Sequence, residues 1–139
     1  MYTMREACEK LNMPYETLRF YCKEDLIPNI KRDKNNYRLF DERNLAWLRD
    51  LQCLRNCGMS LKDMRRYMEY CLQGPSTISQ RQAMLAVTKQ ELLRQAREIE
   101  ERLQYINYKQ EFYDGVLSGK IKYRSNLIKC KGLENDFQK

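Results

Sequence analysis

The sequence predicts a mainly α-helical chain: a helical head carrying a small β-hairpin, followed by one long helix suited to an antiparallel coiled coil. Three observations predict it. Two short amphipathic segments, each with its own start signal, lie a tight turn apart within residues 3–23. A basic stretch with an Asp-Lys-Asn-Asn centre follows at 26–40. From Ser76 to Asp114 there is neither glycine nor proline, and an apolar or aromatic side chain recurs at every seventh position.

Thr3 is placed to N-cap the first helix, with Glu6 three residues on as its capping-box partner, and Met4, Ala7, Cys8 and Leu11 then share one face. Asn12-Met13 breaks that pattern. Pro14, tolerated in a first turn because the N–H it lacks would have no partner there, starts a second helix through Lys23. Two helices joined this closely are the sequence form of a helix-turn-helix. Runs 29–32 and 37–40 have strand character on either side of the turn residues, so the segment reads as a β-hairpin wing and the head as a winged helix-turn-helix. Residues 41–57 return to helical spacing, with Leu45, Trp47, Leu48, Leu51 and Leu54 on one arc and Gly58 as the C-cap. Ser60, with Asp63 in capping-box position, starts a fourth helix that runs to Gly74-Pro75.

In the long segment the in-step positions are Ile78, Leu85, Leu92, Ile99, Ile106 and Tyr113. The seam offset by four is weaker, with Lys89, Ala96, Leu103 and Gln110. At about 1.5 Å per residue such a helix is too long to bury its stripe against a head of this size. It demands a partner, most simply its own copy. Ile78, Leu85, Leu92, Ile99, Leu103, Ile106 and Tyr113 are therefore the dimerisation candidates. The domain reading is a head at 1–75, a dimerisation helix at 76–114 and a short basic tail at 115–139.

Composition bounds the function. At 139 residues the chain is small for an enzyme with an elaborate pocket. Its net charge of +7 and pI of about 9.1 favour an anionic partner. Residues 1–74 carry 14 Lys/Arg against 11 Asp/Glu, residues 75–113 carry 6 against 5, and residues 114–139 carry 6 against 3, so the excess sits in the hairpin and the tail. No apolar run approaches the roughly 20 residues that span a bilayer, and the charged opening segment is unlike a leader, so the expectation is a cytoplasmic protein with no membrane partner. Cys8, Cys22, Cys53, Cys57, Cys71 and Cys130 are then expected to be reduced thiols. With no histidine, no Cys-x-x-Cys and no Gly-rich phosphate loop, neither enzyme activity nor a cofactor is expected.

A helix that enters a DNA major groove needs side chains on its outer face that reach base edges or phosphates. Tyr15, Glu16, Arg19, Phe20 and Lys23 fall opposite Leu18 and Cys22. A wing lying along the backbone needs cations, and Lys31, Arg32, Lys34 and Arg38 against Asp33 leave +3, with the Tyr37 hydroxyl beside them. For any one of these the plain alternative is a solvated edge or, for Tyr21 and Tyr37, partial burial in the core.

Several ordered motifs sharpen this. Tyr2-Thr3-Met4-Arg5-Glu6, the run from Thr17 to Pro28 (TLRFYCKEDLIP), Asn36-Tyr37-Arg38-Leu39-Phe40 and the run from Leu54 to Leu61 (LRNCGMSL) resemble the opening helix, recognition helix, wing and third-to-fourth helix junction of the MerR family of bacterial transcriptional regulators. The resemblance covers residues 3 to about 75. It implies that Arg19, Phe20 and Tyr21 occupy DNA-contact positions, with Thr17 and Arg55 taken in the same set. It also implies a symmetric homodimer on a pseudo-palindromic operator in double-stranded promoter DNA, distorting an over-long spacer on a signal so that RNA polymerase can use the promoter.

Metal-responsive members of that family carry paired cysteines near the end of the dimerisation helix. Here residues 114–129 hold none and only Cys130 lies beyond, so no metal site of that pattern is expected. The run from Leu51 to Leu61 resembles instead the aldehyde- and electrophile-responsive branch, the AdhR/NmlR-like regulators, which makes Cys53 the candidate sensor thiol. At about 100° per residue Cys53 falls across from the leucine arc, beside Arg49, Asp50 and Cys57; Arg49 favours a thiolate there and Asp50 opposes it. Cys57 lies one helical turn away, where Cβ atoms stand about 6 Å apart against the roughly 3.8 Å a disulfide needs. Cys8 and Cys22 read as core, and Cys71 is open. Two alternatives stand beside this reading: a regulator of another signal, metal or small molecule, with Cys53 a packed filler, and a non-catalytic coiled-coil adaptor, for which the hairpin and Arg19-Phe20-Tyr21 have no use.

Overall fold

The computed structural model describes residues 1–130; the last nine residues of the expected basic tail lie outside it. Helix α1 (Met4–Leu11) begins where the caps require. Thr3 Oγ1 accepts the Glu6 N–H at 3.2 Å and the Glu6 carboxylate accepts the Thr3 N–H at 2.9 Å, so two orphan donors are satisfied reciprocally. Asn12 ends the helix in the left-handed region, φ 48°, which asparagine tolerates better than a branched residue. Pro14 is the N-cap of α2 (Tyr15–Lys23), whose Leu18, Tyr21 and Cys22 are buried.

The wing pairs β1 (Lys31–Arg32) with β2 (Arg38–Leu39), with Lys31 opposite Leu39 and Arg32 opposite Arg38. Both strands are shorter than the runs 29–32 and 37–40. Asn29 has φ 62°, which takes it out of extended backbone, and Phe40 leaves the hairpin to form an antiparallel bridge with Tyr2. In the turn, Asp33 Oδ1 accepts the Asn35 and Tyr37 N–H groups at 2.8 and 3.0 Å while Asn36 supplies the positive φ.

Helix α3 (Glu42–Asn56) starts from a second reciprocal cap between Asp41 and Asn44. Asn44 is buried, yet its amide also donates to the Pro28 carbonyl at 3.1 Å, and Trp47 Nε1 donates to the Leu26 carbonyl at 2.7 Å. These two bonds fasten the loop between α2 and the wing onto α3. Gly58, with φ 92°, follows the Cys57 cap and turns the chain into α4 (Leu61–Gln73). Ser60 caps α4 through one bond, to the Asp63 N–H at 3.1 Å; Asp63 is exposed and keeps its carboxylate in solvent, so the expected two-way box is only half formed. Trp47 and Tyr67 stack at 6.4 Å, joining α3 to α4. The core of the head gathers Ala7 of α1, Leu18 of α2, Leu26, Phe40, Leu45, Leu48 and Leu51 of α3, and Met64 of α4. Each such fully buried large side chain contributes about 1.5–3 kcal/mol relative to exposure.

The fourth helix gives way to a 3₁₀ turn (Pro75–Thr77) and then to α5 (Ile78–Leu117), so the long helix starts two residues later and ends three residues later than 76–114. At its start Thr77 is buried. Its hydroxyl lies 2.5 Å from the Tyr70 carbonyl and 2.9 Å from the Gly74 carbonyl, and Arg81 donates to that hydroxyl, to the Gly74 carbonyl at 2.8 Å and towards Cys71 Sγ at 3.9 Å.

The chain divides into two units, the first Met1–Leu92 and the second beginning at Leu93. In the second unit Gly115 does not stop α5. A Cβ there would stand 2.8 Å from Ile121 Cγ1, so the glycine makes room for the chain that folds back, and the reversal comes at Gly119 with φ 80°. The Lys120 and Ile121 N–H groups both donate to the Gly115 carbonyl, at 2.9 and 3.0 Å. Arg124 lies over the Phe112 ring at 4.7 Å. No residue of α5 is buried.

Phe40 is 0% exposed and belongs at once to wing and core, so Phe40→Ala is expected to lower stability by about 3–5 kcal/mol, measured by urea unfolding of the purified protein.

Candidate nucleic-acid interface

Burial of Leu18, Tyr21 and Cys22 fixes the rotation of α2, and it turns Tyr15, Glu16, Arg19, Phe20 and Lys23 outward, all exposed. Thr17 is half-buried at the edge of this face. Tyr21 is turned inward. It is 4% exposed, its ring is part of the core, and it offers only an edge to the adjoining recess. Burial pushes its phenol pKa up, with Arg55 pulling the other way.

Two recesses flank the first turns of α2. One, of about 330 Å³, lies between that turn, the start of α1 and the wing; Arg5, Tyr15, Arg32, Tyr37 and Arg38 line it together with Thr3, Met4, Asp33 and Asn36. The other, of about 500 Å³, lies between α2 and the end of α3, lined by Glu16, Thr17, Phe20, Tyr21, Gln52, Arg55 and Asn56. A helix face with cations on both sides is the arrangement a duplex needs, since the two backbones border the groove that the helix enters.

The wing cations are not equivalent. Tyr37 is 70% exposed and Arg38 half-buried. Arg32 is oriented by a bond from Nη1 to the Asn36 carbonyl at 2.8 Å. Lys31 is committed elsewhere: its ammonium holds the Asp41 carboxylate at 2.7 Å, and this bond, then the Asn44 N–H, keeps the Asp41 pKa below its ordinary 3.8. A phosphate contact by Lys31 would give up this bond to Oδ2, while Oδ1 keeps the cap at the Asn44 N–H. Arg5 and Gln52 were not expected at the interface. For Arg5 a readable signal existed, a cation inside the first turn of a helix, where the macrodipole disfavours it.

The thiols separate by environment. Burial raises the Cys22 pKa, opposed by Arg38 and Arg32, and burial followed by Glu9 raises that of Cys8. Both are poor nucleophiles for that reason. Cys53 is exposed on α3, and the helical bond from the Cys57 N–H to the Cys53 carbonyl at 3.0 Å keeps those two thiols a turn apart. Among the described residues no three His, Cys, Asp or Glu side chains converge as metal ligands, and no helix is long and apolar enough to cross a membrane.

Residues 2–71 match the family model described as MerR HTH family regulatory protein. An HTH-type transcriptional regulator of Haemophilus influenzae is 41% identical over 112 residues, covering 81% of this chain and 83% of its own. The HTH-type transcriptional regulator AdhR of Bacillus subtilis is 30% identical over 88 residues, 63% of each chain. Among solved structures the chain is similar to HiNmlR, a MerR family regulator lacking the sensor domain and bound to promoter DNA, with TM-score 0.71 and 39% identity over 84% of this chain and 89% of that one.

Proposed function

The chain belongs to the MerR family of HTH regulatory proteins, on its AdhR/NmlR-like branch, and is a DNA-binding transcriptional regulator; from that premise we propose that it acts as a homodimer on a pseudo-palindromic promoter operator. One observation carries the reading: the outward face of α2 stands between a recess lined by three arginines and another that holds Arg55. On this reading α2 enters the major groove, with Arg19 and Lys23 reaching base edges or phosphates and Tyr15, Glu16, Thr17 and Phe20 shaping the fit. Arg32, Tyr37 and Arg38 hold the backbone on the wing side and Arg55 holds it on the other, while Tyr21 serves mainly to set the angle of α2 in the core. HiNmlR binds promoter DNA without a sensor domain, which supports assigning operator binding to the matching head of this chain.

The half-exposed stripe of α5 supports the dimer. Ile78, Ile99, Leu103, Ile106 and Tyr113 are each about half exposed, and Leu85 and Leu92 somewhat less, a run of apolar surface that water alone does not favour. Pairing two stripes antiparallel sets the spacing of the heads to half-sites about one helical turn apart, or a multiple of it. Distorting the operator costs on the order of 1–6 kcal/mol, which paired head contacts offset. RNA polymerase then reads the distorted promoter.

The signal on this reading is an electrophile received at Cys53. The thiolate sulfur adds to an aldehyde carbon, a C–S bond forms, the carbonyl π pair moves to oxygen, and a proton from water completes an S-hydroxyalkyl group with no oxidant required. The exposure of Cys53 and the similarity to AdhR support the assignment.

Three outcomes check the proposal. Arg38→Ala should weaken binding to operator and random duplex alike and reduce the salt dependence by about 0.9 in log–log slope per phosphate released, read by mobility shift at several salt concentrations; an effect confined to one operator base pair contradicts a backbone role. Ile99→Asp should sediment as a monomer, and a retained dimer rejects the heptad seam. Cys53→Ser should abolish the formaldehyde response in transcription in vitro while leaving operator binding intact; an unchanged response assigns the signal to another group.

A further inference from the structure

We propose that the recess between the first turn of α1 and the wing seats one DNA backbone phosphate, and that Arg5 is its contact from the α1 side. The proposal rests on the reading that α2 enters the major groove. The wing arginines and Tyr37 already belong to that reading, whereas Arg5 lies on a different element and was assigned nothing.

The recess is held in shape by backbone. Tyr2 and Phe40 exchange hydrogen bonds, Tyr2 N–H to the Phe40 carbonyl at 2.7 Å and Phe40 N–H to the Tyr2 carbonyl at 2.8 Å. Tyr2 is held further by the Glu42 carboxylate, which accepts from its hydroxyl, and by the Lys10 ammonium 5.0 Å from its ring. The first turn of α1 is thus tied to the end of β2, and Arg5 faces the same recess as Arg32 and Arg38. Of the lining residues only Asp33 is acidic, and its Oδ1 already accepts two backbone N–H groups. Three arginines therefore line one recess with a single carboxylate among its other lining residues. Tyr15 forms part of the same wall and is the first residue of α2, so an anion held there lies beside the proposed groove-facing helix.

The position of Arg5 is not explained by the fold. It is exposed, it stands directly before the capping residue Glu6, and a positive charge in the first turn opposes the helix dipole. Among the described residues no carboxylate forms an ion pair with it, whereas two oxygens of a phosphate accept the paired N–H donors of a planar guanidinium.

The test uses the full chain and a mixed-sequence duplex three helical turns long, with Arg5→Ala, Arg5→Lys and Arg38→Ala titrated across a salt series and melted in parallel. Arg5→Ala should bind on the order of tenfold more weakly at low salt, with a log–log salt slope smaller by about 0.9 for each phosphate given up, close to two for a dimer. Its melting temperature should not fall, since a cation unfavourable to α1 has been removed. Arg5→Lys should restore most of the slope, as a point charge still pairs with phosphate. Arg5→Ala binding like the unaltered chain while Arg38→Ala weakens overturns the role of Arg5 and leaves the α2 reading standing. A lowered melting temperature with an unchanged salt slope also overturns it, as a structural effect. Absence of duplex binding by the unaltered chain overturns the α2 reading and this inference with it.

Discussion

The architecture of the head depends on the short backbone bridge between Tyr2 and Phe40. Phe40 is the point where three requirements meet: its main chain pairs with the segment that opens α1, its ring fills the centre of the core, and its successor Asp41 caps α3. Without the bridge the wing would be an isolated two-stranded ribbon, which is marginal in water. With it, the wing is welded to α1 on one side and, through Asp41 and Lys31, to α3 on the other. Helix α2 then packs into a head whose wing is fixed to both α1 and α3.

The parts of this fold that local chemistry decides were legible in the sequence. Thr3 and Glu6 form the box their spacing announces, and the turn residues of the wing do what asparagine and aspartate do elsewhere. What the sequence hid were decisions taken across distance. The hairpin ends where it does because Phe40 is claimed by Tyr2, and the exposed Lys31 is paired with a carboxylate ten residues away. Gly115 looks like a helix terminator, yet it is helical because Ile121 needs its missing side chain. At Tyr21 the sequence left two readings, a DNA-contact position and partial burial; its spacing of three from Leu18 and one from Cys22 puts it on the buried arc, and the fold buries it.

The same framing separates the cysteines. Lost solvation raises the thiol pKa of the buried Cys22 and the half-buried Cys8, and the arginines of the wing reduce but do not reverse the effect at Cys22. Cys53 faces solvent on the helix that carries Arg55 into the second recess, so a group added to its sulfur sits two residues from a cation that the DNA reading needs. Cys53 and Arg55 thus lie two positions apart on one helix.

The Thr77–Arg81 junction has a mechanical consequence. One guanidinium and one buried hydroxyl gather the last carbonyls of α4 and the first turn of α5, so the two helices meet at a stiff joint rather than a swivel. Hydrogen bonds from a charged donor contribute about 1.5–3 kcal/mol each, so opening this joint costs several kcal/mol. A load carried by the start of α5 is thus passed to α4 as torque rather than absorbed at the junction.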